Sequence, residues 1–451
     1  MGVLFGTNGI RGVAGETITP KFAFRIGKSI GKVYGGTIAV ATDARSSADM
    51  VRSAVVSGIA AAGIDAVELG MLPTPALQYF VRTHDGISGG AVITASHNPP
   101  EFNGIKCVSS DGTEAHRMEE SSIEDAYFHE FPNADPGSTG EIYSYSGAAG
   151  DYADAVLSRV DRAKIRESGF TVCIDCANGA SCYTSPTVLS GLGVRTISIN
   201  SDPRGNPGRG IEPSEDNLAD LMSMVKETGA DLGIAHDGDA DRCIFITPGG
   251  KFVSGDQSMA VIASYVLSSA SGKVVTPVNT SSVVTDTVRD AGGEMVYTRV
   301  GAPAVARKMI ECGAVFGGEE NGGLIFPEMQ YCRDGAMTMA KMLECISERG
   351  SLSDLVRGLP EYHSAKIKVP CPDDKKKALS DFFSARVSDL ETDNTDGIKV
   401  LFEDGWVLMR PSGTEPAYRI FSESRSETTA RSRAEEYAGM AEEFLSKKFS
   451  S

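Results

Sequence analysis

Ala91-Val92-Ile93-Thr94-Ala95-Ser96-His97-Asn98-Pro99-Pro100 is a short apolar run with β-branched residues that breaks into a polar, proline-stiffened loop. With Gly89-Gly90 before it and Asn-Pro-Pro after it, the run reads as a strand that ends at the loop. Ser96 then stands at a strand end beside His97 and Asn98, with Asn103-Gly104-Ile105-Lys106 close behind. A serine hydroxyl is a poor nucleophile unaided and serves more often in a turn or a helix cap. A chemical role for Ser96 therefore needs a nearby base or a phosphate already attached. Pro99-Pro100 stiffens the loop, and Asn103-Gly104 is expected to form a tight turn returning Lys106 toward Ser96, an arrangement suited to holding a phosphate.

Outward from this stretch, the strand is the third of a β-α-β-α-β series, with strands expected at 37–43 and 66–69 and helices at 47–62 and 75–83. After a polar, acidic connection near 138–149 the pattern recurs, with strands at 171–175, 194–199 and 232–235 and helices at 181–192 and 217–228. It appears again with strands at 274–277, 294–298 and 314–316 and helices at 281–291 and 301–311. Past Leu359 the pattern changes to strands at 365–369, 400–402, 405–409 and 418–422 and a long amphipathic helix at 428–447. The fold class expected is α/β: three consecutive similar α/β domains (1–148, 149–250 and 251–360), their mostly parallel sheets covered by helices, and a smaller C-terminal α+β domain (361–451).

The unusual residues of each unit fall at the same place. The third strand runs into Thr94-Ala95-Ser96-His97-Asn98 in the first, Asp237-Gly238-Asp239-Ala240-Asp241-Arg242 in the second and Gly317-Gly318-Glu319-Glu320-Asn321-Gly322-Gly323 in the third. Open α/β sheets bind ligands outside the carboxyl ends of their strands, so the three loops are expected to face one central cleft. Alternate aspartates with small residues between them can point their carboxylates at one hard cation. An EF-hand would need glycine at its sixth position and glutamate at its twelfth, where Arg242 and Pro248 stand. An exposed acidic turn is the plain alternative for the second loop, and a mobile glycine-rich segment for the third. In the third loop Glu319 and Asn321 offer hydrogen-bond partners to sugar hydroxyls. In the last domain Arg410-Pro411-Ser412-Gly413-Thr414-Glu415-Pro416, with Arg419 beyond, offers guanidinium groups, hydroxyls and backbone N–H groups to a phosphate dianion.

The chain's 43 Lys and Arg against 60 Asp and Glu give a net charge of −17, which opposes binding to nucleic acid or anionic membranes. An anionic small molecule must be caught by local cations. The 9 cysteines are scattered; Cys173 and Cys176 lack a second pair at zinc-finger spacing, so they read as reduced thiols of a cytoplasmic protein. No run approaches the roughly 18 apolar residues of a membrane span, no signal sequence is visible, and Gly6 fills the position where myristoylation needs Ser or Thr. Phe5-Gly6-Thr7-Asn8-Gly9-Ile10-Arg11-Gly12 lacks the Gly-x-Gly-x-x-Gly order of a dinucleotide loop, leaving a turn or, through Arg11, a phosphate clamp. Gly86-Ile87-Ser88-Gly89-Gly90 satisfies the nucleophile-elbow pattern of serine hydrolases, but Ser88 follows a helix and precedes a strand, the reverse of what an elbow requires.

The Ser96 loop resembles the active-serine loop of the α-D-phosphohexomutases, a family of phosphoglucomutases, phosphomannomutases and phosphoglucosamine mutases. The resemblance covers all four domains in order. Gly6-Thr7-Asn8-Gly9-Ile10-Arg11-Gly12 looks like the family's opening motif, closest to its phosphoglucosamine branch; Asp237 to Arg242 is similar to its metal loop; Arg410 to Pro416 resembles its phosphate loop. The third loop resembles the sugar-binding Gly-Glu-x-Ser-Gly-His but carries Asn321 for Ser and Gly323 for His. The resemblance implies interconversion of hexose 6-phosphate and 1-phosphate through phosphoserine at Ser96, with one Mg²⁺ per chain bound by Asp237, Asp239, Asp241 and the seryl group. It implies Arg11, Lys106 and Arg242 stabilising the transferring group and His97 or Lys106 moving protons. Glu319, Asn321, Arg410, Ser412, Gly413, Thr414 and Arg419 are expected at the sugar and its other phosphate, with a hexose 1,6-bisphosphate as activator. Space left by Gly323 is expected to admit several groups at the sugar's C2, and the oligomeric state is left open. A sugar-phosphate sensor without turnover is the non-enzymatic alternative, though binding alone needs neither the serine nor the aspartates.

Overall fold

The structure, a computed structural model, describes residues 4–6, 8–203, 206–413 and 415–447 of the chain. Its first sheet contains β1 (Ile10–Val13), β2 (Thr37–Thr42), β3 (Ala66–Met71), β4 (Ile87–Ile93), β5 (Phe102–Ser109) and β6 (Ile142–Ser144), in the order β1-β5-β4-β2-β3-β6. The second holds β7 (Thr171–Asp175), β8 (Arg195–Ile199), β9 (Leu232–His236), β10 (Cys243–Ile246) and β11 (Phe252–Val253), in the order β11-β10-β9-β7-β8. The third holds β12 (Lys273–Pro277), β13 (Glu294–Thr298), β14 (Phe316–Gly318), β15 (Leu324–Phe326) and β16 (Gln330–Arg333), in the order β13-β12-β14-β15-β16.

One plan generates all three. The first strand of each repeat lies between the third and the second, all parallel: β4-β2-β3, β9-β7-β8 and β14-β12-β13. Strands covered on both faces need continuous apolar runs, and Ile38 to Ala41 and Leu232 to His236 are buried without a break. A return strand then pairs antiparallel with each third strand: β5 on β4, β10 on β9 and β15 on β14. The sheets are thus parallel where the sequence pattern predicts strands and antiparallel at the added edge.

Several local expectations change. Asn103-Gly104 is not a turn but lies inside β5, between β1 and β4, where a Cβ on Gly104 would come within 2.4 Å of the Ile10 carbonyl and 2.6 Å of that of Thr94. The chain reverses earlier, between Asn98 and Glu101. The helix expected at 181–192 splits into a 3₁₀ turn (Ala180–Tyr183) and a helix (Ser185–Gly191). The acidic connection near 138–149 contributes β6 to the edge of the first sheet. Ser88 lies within β4, so no nucleophile elbow exists there.

The fourth sheet, β17 (His363–Pro370), β18 (Thr392–Asp393), β19 (Ile398–Phe402), β20 (Gly405–Pro411) and β21 (Ala417–Ser424), is antiparallel in the order β17-β21-β20-β19-β18. Period-2 alternation gives it two faces. Val400, Val407, Met409 and Ile420 pack on helices Asp373–Arg386 and Glu427–Lys447, while Trp406, Leu408 and Phe421 meet Val278 and Tyr297 of the third unit. Helix Gly335–Arg349, started by Asp334 accepting from Met337 N, is buried from Gly335 to Ile346 and packs among helices of the second and third units. Among the described residues no helix is long and apolar enough to cross a membrane, and the 9 cysteines are unbridged.

Candidate active site

The three chemical loops converge. Ser96 leaves β4 with φ 51°, a left-handed conformation uncommon for a residue with a Cβ, and is 1% exposed. Its N–H donates to Thr94 Oγ1 at 2.8 Å, and its hydroxyl donates to Asp237 Oδ2 at 3.1 Å. Arg45 holds this loop from the segment that follows β2. It pairs with Asp43 at 3.1 Å and donates to the carbonyls of Ser96, Asn98, Pro99 and Phe102 at 2.7–2.8 Å. Asp43 in turn accepts from Thr94 at 2.6 Å. One guanidinium thus satisfies four carbonyls of the turn between β4 and β5, which holds the exposed Pro99-Pro100 reversal in place beside buried Ser96.

Asp237, Asp239 and Asp241 are buried, and one carboxylate oxygen from each lies within 4.8 Å of the others. Lys106 on β5 reaches Asp239 at 2.6 Å and Asp241 at 3.3 Å, and Thr74 donates to Asp239 at 2.6 Å. Lys106 is therefore bound to the same aspartate loop that accepts the Ser96 hydroxyl. Burial raises the Asp237 carboxyl well above the usual range, and the charges of Asp241 and Asp239 raise it further. Burial also disfavours ionised Asp239, but the Lys106 ammonium and the Thr74 hydroxyl hold it below its ordinary value. Lys106 stays charged despite burial because Asp239 and Asp241 face it. Among the described residues Asp239 Oδ1 and Asp241 Oδ1 are buried without a hydrogen-bond partner, Asp241 Oδ1 having only the Arg242 guanidinium 3.9 Å away. Crowded carboxylates with unpaired oxygens beside a hydroxyl fit a hard divalent cation, and the group can hold one.

Arg242 donates to Glu212 at 2.6 Å and to His97 Nδ1 at 3.0 Å. Accepting that bond places the His97 proton on Nε2. Burial and the charges of Arg242 and Arg11 push His97 down to about 3, so it is neutral at physiological pH. Arg11, on β1 opposite Gly104, donates to Asn98 Oδ1 at 2.7 Å. His236 ends β9 with Nδ1 at 2.8 Å from the Arg242 carbonyl and Nε2 at 3.0 Å from Ser185 Oγ, bracing the aspartate loop.

In the third loop Glu319 is buried and accepts from Arg333 at 2.8 Å, while the other arm of Arg333 donates to Asp241. Asn321 caps its own loop through Gly323 N at 3.1 Å. The room beside Gly323 is not open. A Cβ there would meet Arg333 Cδ at 2.3 Å, so Arg333 fills the space that the sequence suggests for a variable sugar substituent. In the C-terminal domain Arg410 and Arg419 are cross-strand partners, Ser412 Oγ is buried without a hydrogen-bond partner among the described residues, Gly413 is exposed and Thr414 lies outside the described residues. Lys376 braces the loop by donating to the carbonyls of Ser412 and Glu415, both at 2.6 Å. Sequence reading missed Arg45, Glu212, Arg333 and Lys376. The Thr42-Asp43-Ala44-Arg45 end of β2 was a local signal for the first, since it occupies the same kind of strand end as the other loops.

A serine hydroxyl against a buried carboxylate triplet that can hold a cation, ringed by arginines, is an arrangement suited to a class of proteins that handle phosphorylated small molecules. Comparison with known proteins agrees. The chain matches the four "Phosphoglucomutase/phosphomannomutase" domain families: domain I over residues 2–133, domain II over 150–250, domain III over 254–362 and the C-terminal domain over 367–440. It is 42% identical over 445 residues, 97% of both chains, to a "probable phosphoglucosamine mutase" of Methanopyrus kandleri. It is 41% identical to a "phosphoglucomutase/phosphomannomutase" of Thermococcus kodakarensis, covering 99% of this chain and 100% of that one. A crystal structure of a phosphoglucomutase/phosphomannomutase family protein from Burkholderia thailandensis superposes with a TM-score of 0.85 at 27% identity, covering 97% and 96% of the two chains. The chain belongs to the phosphoglucomutase/phosphomannomutase family, the α-D-phosphohexomutases, and is a mutase of sugar phosphates.

Proposed function

We propose that the protein interconverts the 6-phosphate and 1-phosphate of an aldohexose, glucosamine phosphate above others, with Ser96 as the phosphoryl carrier. The observation that carries this reading is the Ser96 hydroxyl at 3.1 Å from Asp237, on the rim of the aspartate triplet. Phospho-Ser96 gives its phosphoryl group to the sugar, the bisphosphate turns over in the cleft, and its other phosphoryl group returns to Ser96. One Mg²⁺ per chain, bound by Asp237, Asp239, Asp241 and the Ser96 oxygen, supplies charge neutralisation during transfer. Arg242 and Arg11 supply further positive charge. Lys106, charged between Asp239 and Asp241, or neutral His97, whose proton is on Nε2, moves protons in the cycle. Glu319 and Asn321 receive sugar hydroxyls. Arg410, Ser412, Gly413 and Arg419, with Thr414, grip the non-reacting phosphate in either orientation, and a hexose 1,6-bisphosphate restores phospho-Ser96 as activator. Unbridged thiols suit a cytoplasmic setting.

Glucosamine phosphate is supported by the opening Gly-Thr-Asn-Gly-Ile-Arg-Gly and by the names of several similar proteins. An acidic wall adds to this. The 540 Å³ cavity beside Asn321 is lined by Glu212, Asp256, Glu320, Glu361 and Glu423 against one lysine, Lys366, an acidic excess that favours a sugar carrying an ammonium over one carrying a hydroxyl in its place. Comparing kcat/KM for glucosamine, glucose and mannose phosphates tests this, with glucosamine phosphate expected to lead. If another sugar is better by about tenfold, or about 1.4 kcal/mol of transition-state binding, the substrate assignment fails while the mutase class stands.

A further inference from the structure

The C-terminal sheet grips the third unit through charged side chains that reach backbone atoms. Lys399 Nζ donates to the Val278 carbonyl at 2.7 Å, Glu423 Oε1 accepts from Ser282 N at 2.8 Å, and Asp396 Oδ2 accepts from Val300 N at 3.0 Å. These backbone groups lie in the segments that follow β12 and β13. Asp396 does more than dock. The same Oδ2 accepts Arg410 Nε at 2.7 Å, so one carboxylate oxygen joins the phosphate loop to the third unit. The neighbouring backbone fixes this placement. Gly397, between β18 and β19, has φ 89°, and a Cβ there would lie 2.5 Å from the Met409 carbonyl and 3.1 Å from Arg410 Cα. The turn is therefore pressed onto β20 at the residue that Asp396 holds, and only glycine allows that approach without strain.

Arg410 and Arg419 face each other across β20 and β21, two like charges that repel when no anion lies between them. A carboxylate at Nε offsets that repulsion and leaves the two terminal nitrogens of Arg410 for a ligand, the geometry of two-point phosphate recognition. We infer that Asp396 is a positioning residue, which orients Arg410 for the substrate's non-reacting phosphate and ties that grip to the segment following β13. The inference rests on the reading that Arg410 receives the phosphate.

Steady-state kinetics of the full chain, comparing Asp396→Ala, Arg410→Ala and the double variant, test it. Each single change is expected to raise KM for the hexose phosphate roughly tenfold with a smaller change in kcat, and the double variant to be no worse than Arg410→Ala alone. Asp396→Asn keeps an acceptor of the same shape and should fall between the wild type and Asp396→Ala. Independent effects that multiply in the double variant overturn the inference, as does a KM within about twofold of wild type for Asp396→Ala when Arg410→Ala is impaired. Should Asp396→Ala not fold, Asp396→Asn combined with Arg410→Ala carries the same comparison. If Arg410→Ala itself leaves KM unchanged, the phosphate reading of Arg410 has failed, and the role of Asp396 fails with it.

Discussion

Ser96 and Ala240 hold left-handed backbone conformations on facing loops, each costing on the order of 1–3 kcal/mol for a residue with a Cβ. At Ser96 the cost is offset by Thr94 Oγ1 at its N–H and Arg45 at its carbonyl, so the hydroxyl is presented by its surroundings rather than by its own preference. Ser96→Ala should keep the fold and lose most activity, because none of those supports uses the hydroxyl. Mass spectrometry of active protein should find one phosphate on the peptide containing Ser96; full activity in the alanine variant refutes the carrier role. Asp239 is a different case, since it holds both Lys106 and Thr74. Asp239→Asn should weaken the dependence on Mg²⁺ and the activity together, and should also lower stability by about 1–3 kcal/mol because Lys106 stays buried with one carboxylate fewer. Activity that survives both this change and exhaustive chelation would mean that the triplet is structural.

At the scale of elements, β9 delivers the aspartates and His236 fixes where it ends. Burial pushes His236 down to about 4, aided by the Arg209 charge, against an ordinary value of about 6.5. Between those values the unfolded chain binds a proton that the folded chain refuses. Stability from this residue is therefore complete above about pH 6.5 and lost as pH falls toward 4, up to about 3 kcal/mol. In denaturant titrations at a series of pH values, the advantage of wild type over His236→Asn should shrink across that window; a constant gap contradicts the assignment. The strands that sequence showed are those whose environment is written locally. Ile38 to Ala41 and Leu232 to Ala235 are buried on both faces and so read as apolar runs. The return strands are less legible. β5 carries Asn103 and Lys106, and β15 has only Leu324–Phe326, so neither shows a long apolar run or a full alternation. The loops' chemistry was visible because it lies in contiguous residues, whereas Arg333 reaches Asp241 across 92 positions and nothing near it announces that partner. Gly323 misled for the same reason, since the side chain that fills its space comes from another strand.

Across the whole molecule, two kinds of packing coexist. One apolar core runs through the first three units, taking in Leu77 and Phe80, Tyr152 and Val156, and Phe316 and Met337. Gln330 donating to the Pro75 carbonyl at 3.0 Å and Thr74 N to that of Asp239 at 3.0 Å stitch the same units by hydrogen bonds. The C-terminal domain instead has its own core, from Val369 and Phe383 to Tyr418 and Ala441, and its apolar contact with the third unit is a small patch around Trp406. Hydrogen exchange in the native state should therefore show β19 to β21 opening with a lower free energy than β2, β7 and β12, which should exchange together; equal protection throughout would contradict this. The seam has a further consequence for engineering. Asp396, Lys399 and Glu423 all address main-chain atoms, which every sequence presents alike. A chimera bearing the C-terminal domain of a relative should dock wherever those three charges are retained. Such a graft would carry Arg410, Arg419 and the Glu423 wall of the cavity with it and leave Glu319, Asn321 and Arg333 to the recipient, so a chimera separates the contributions of the two sides.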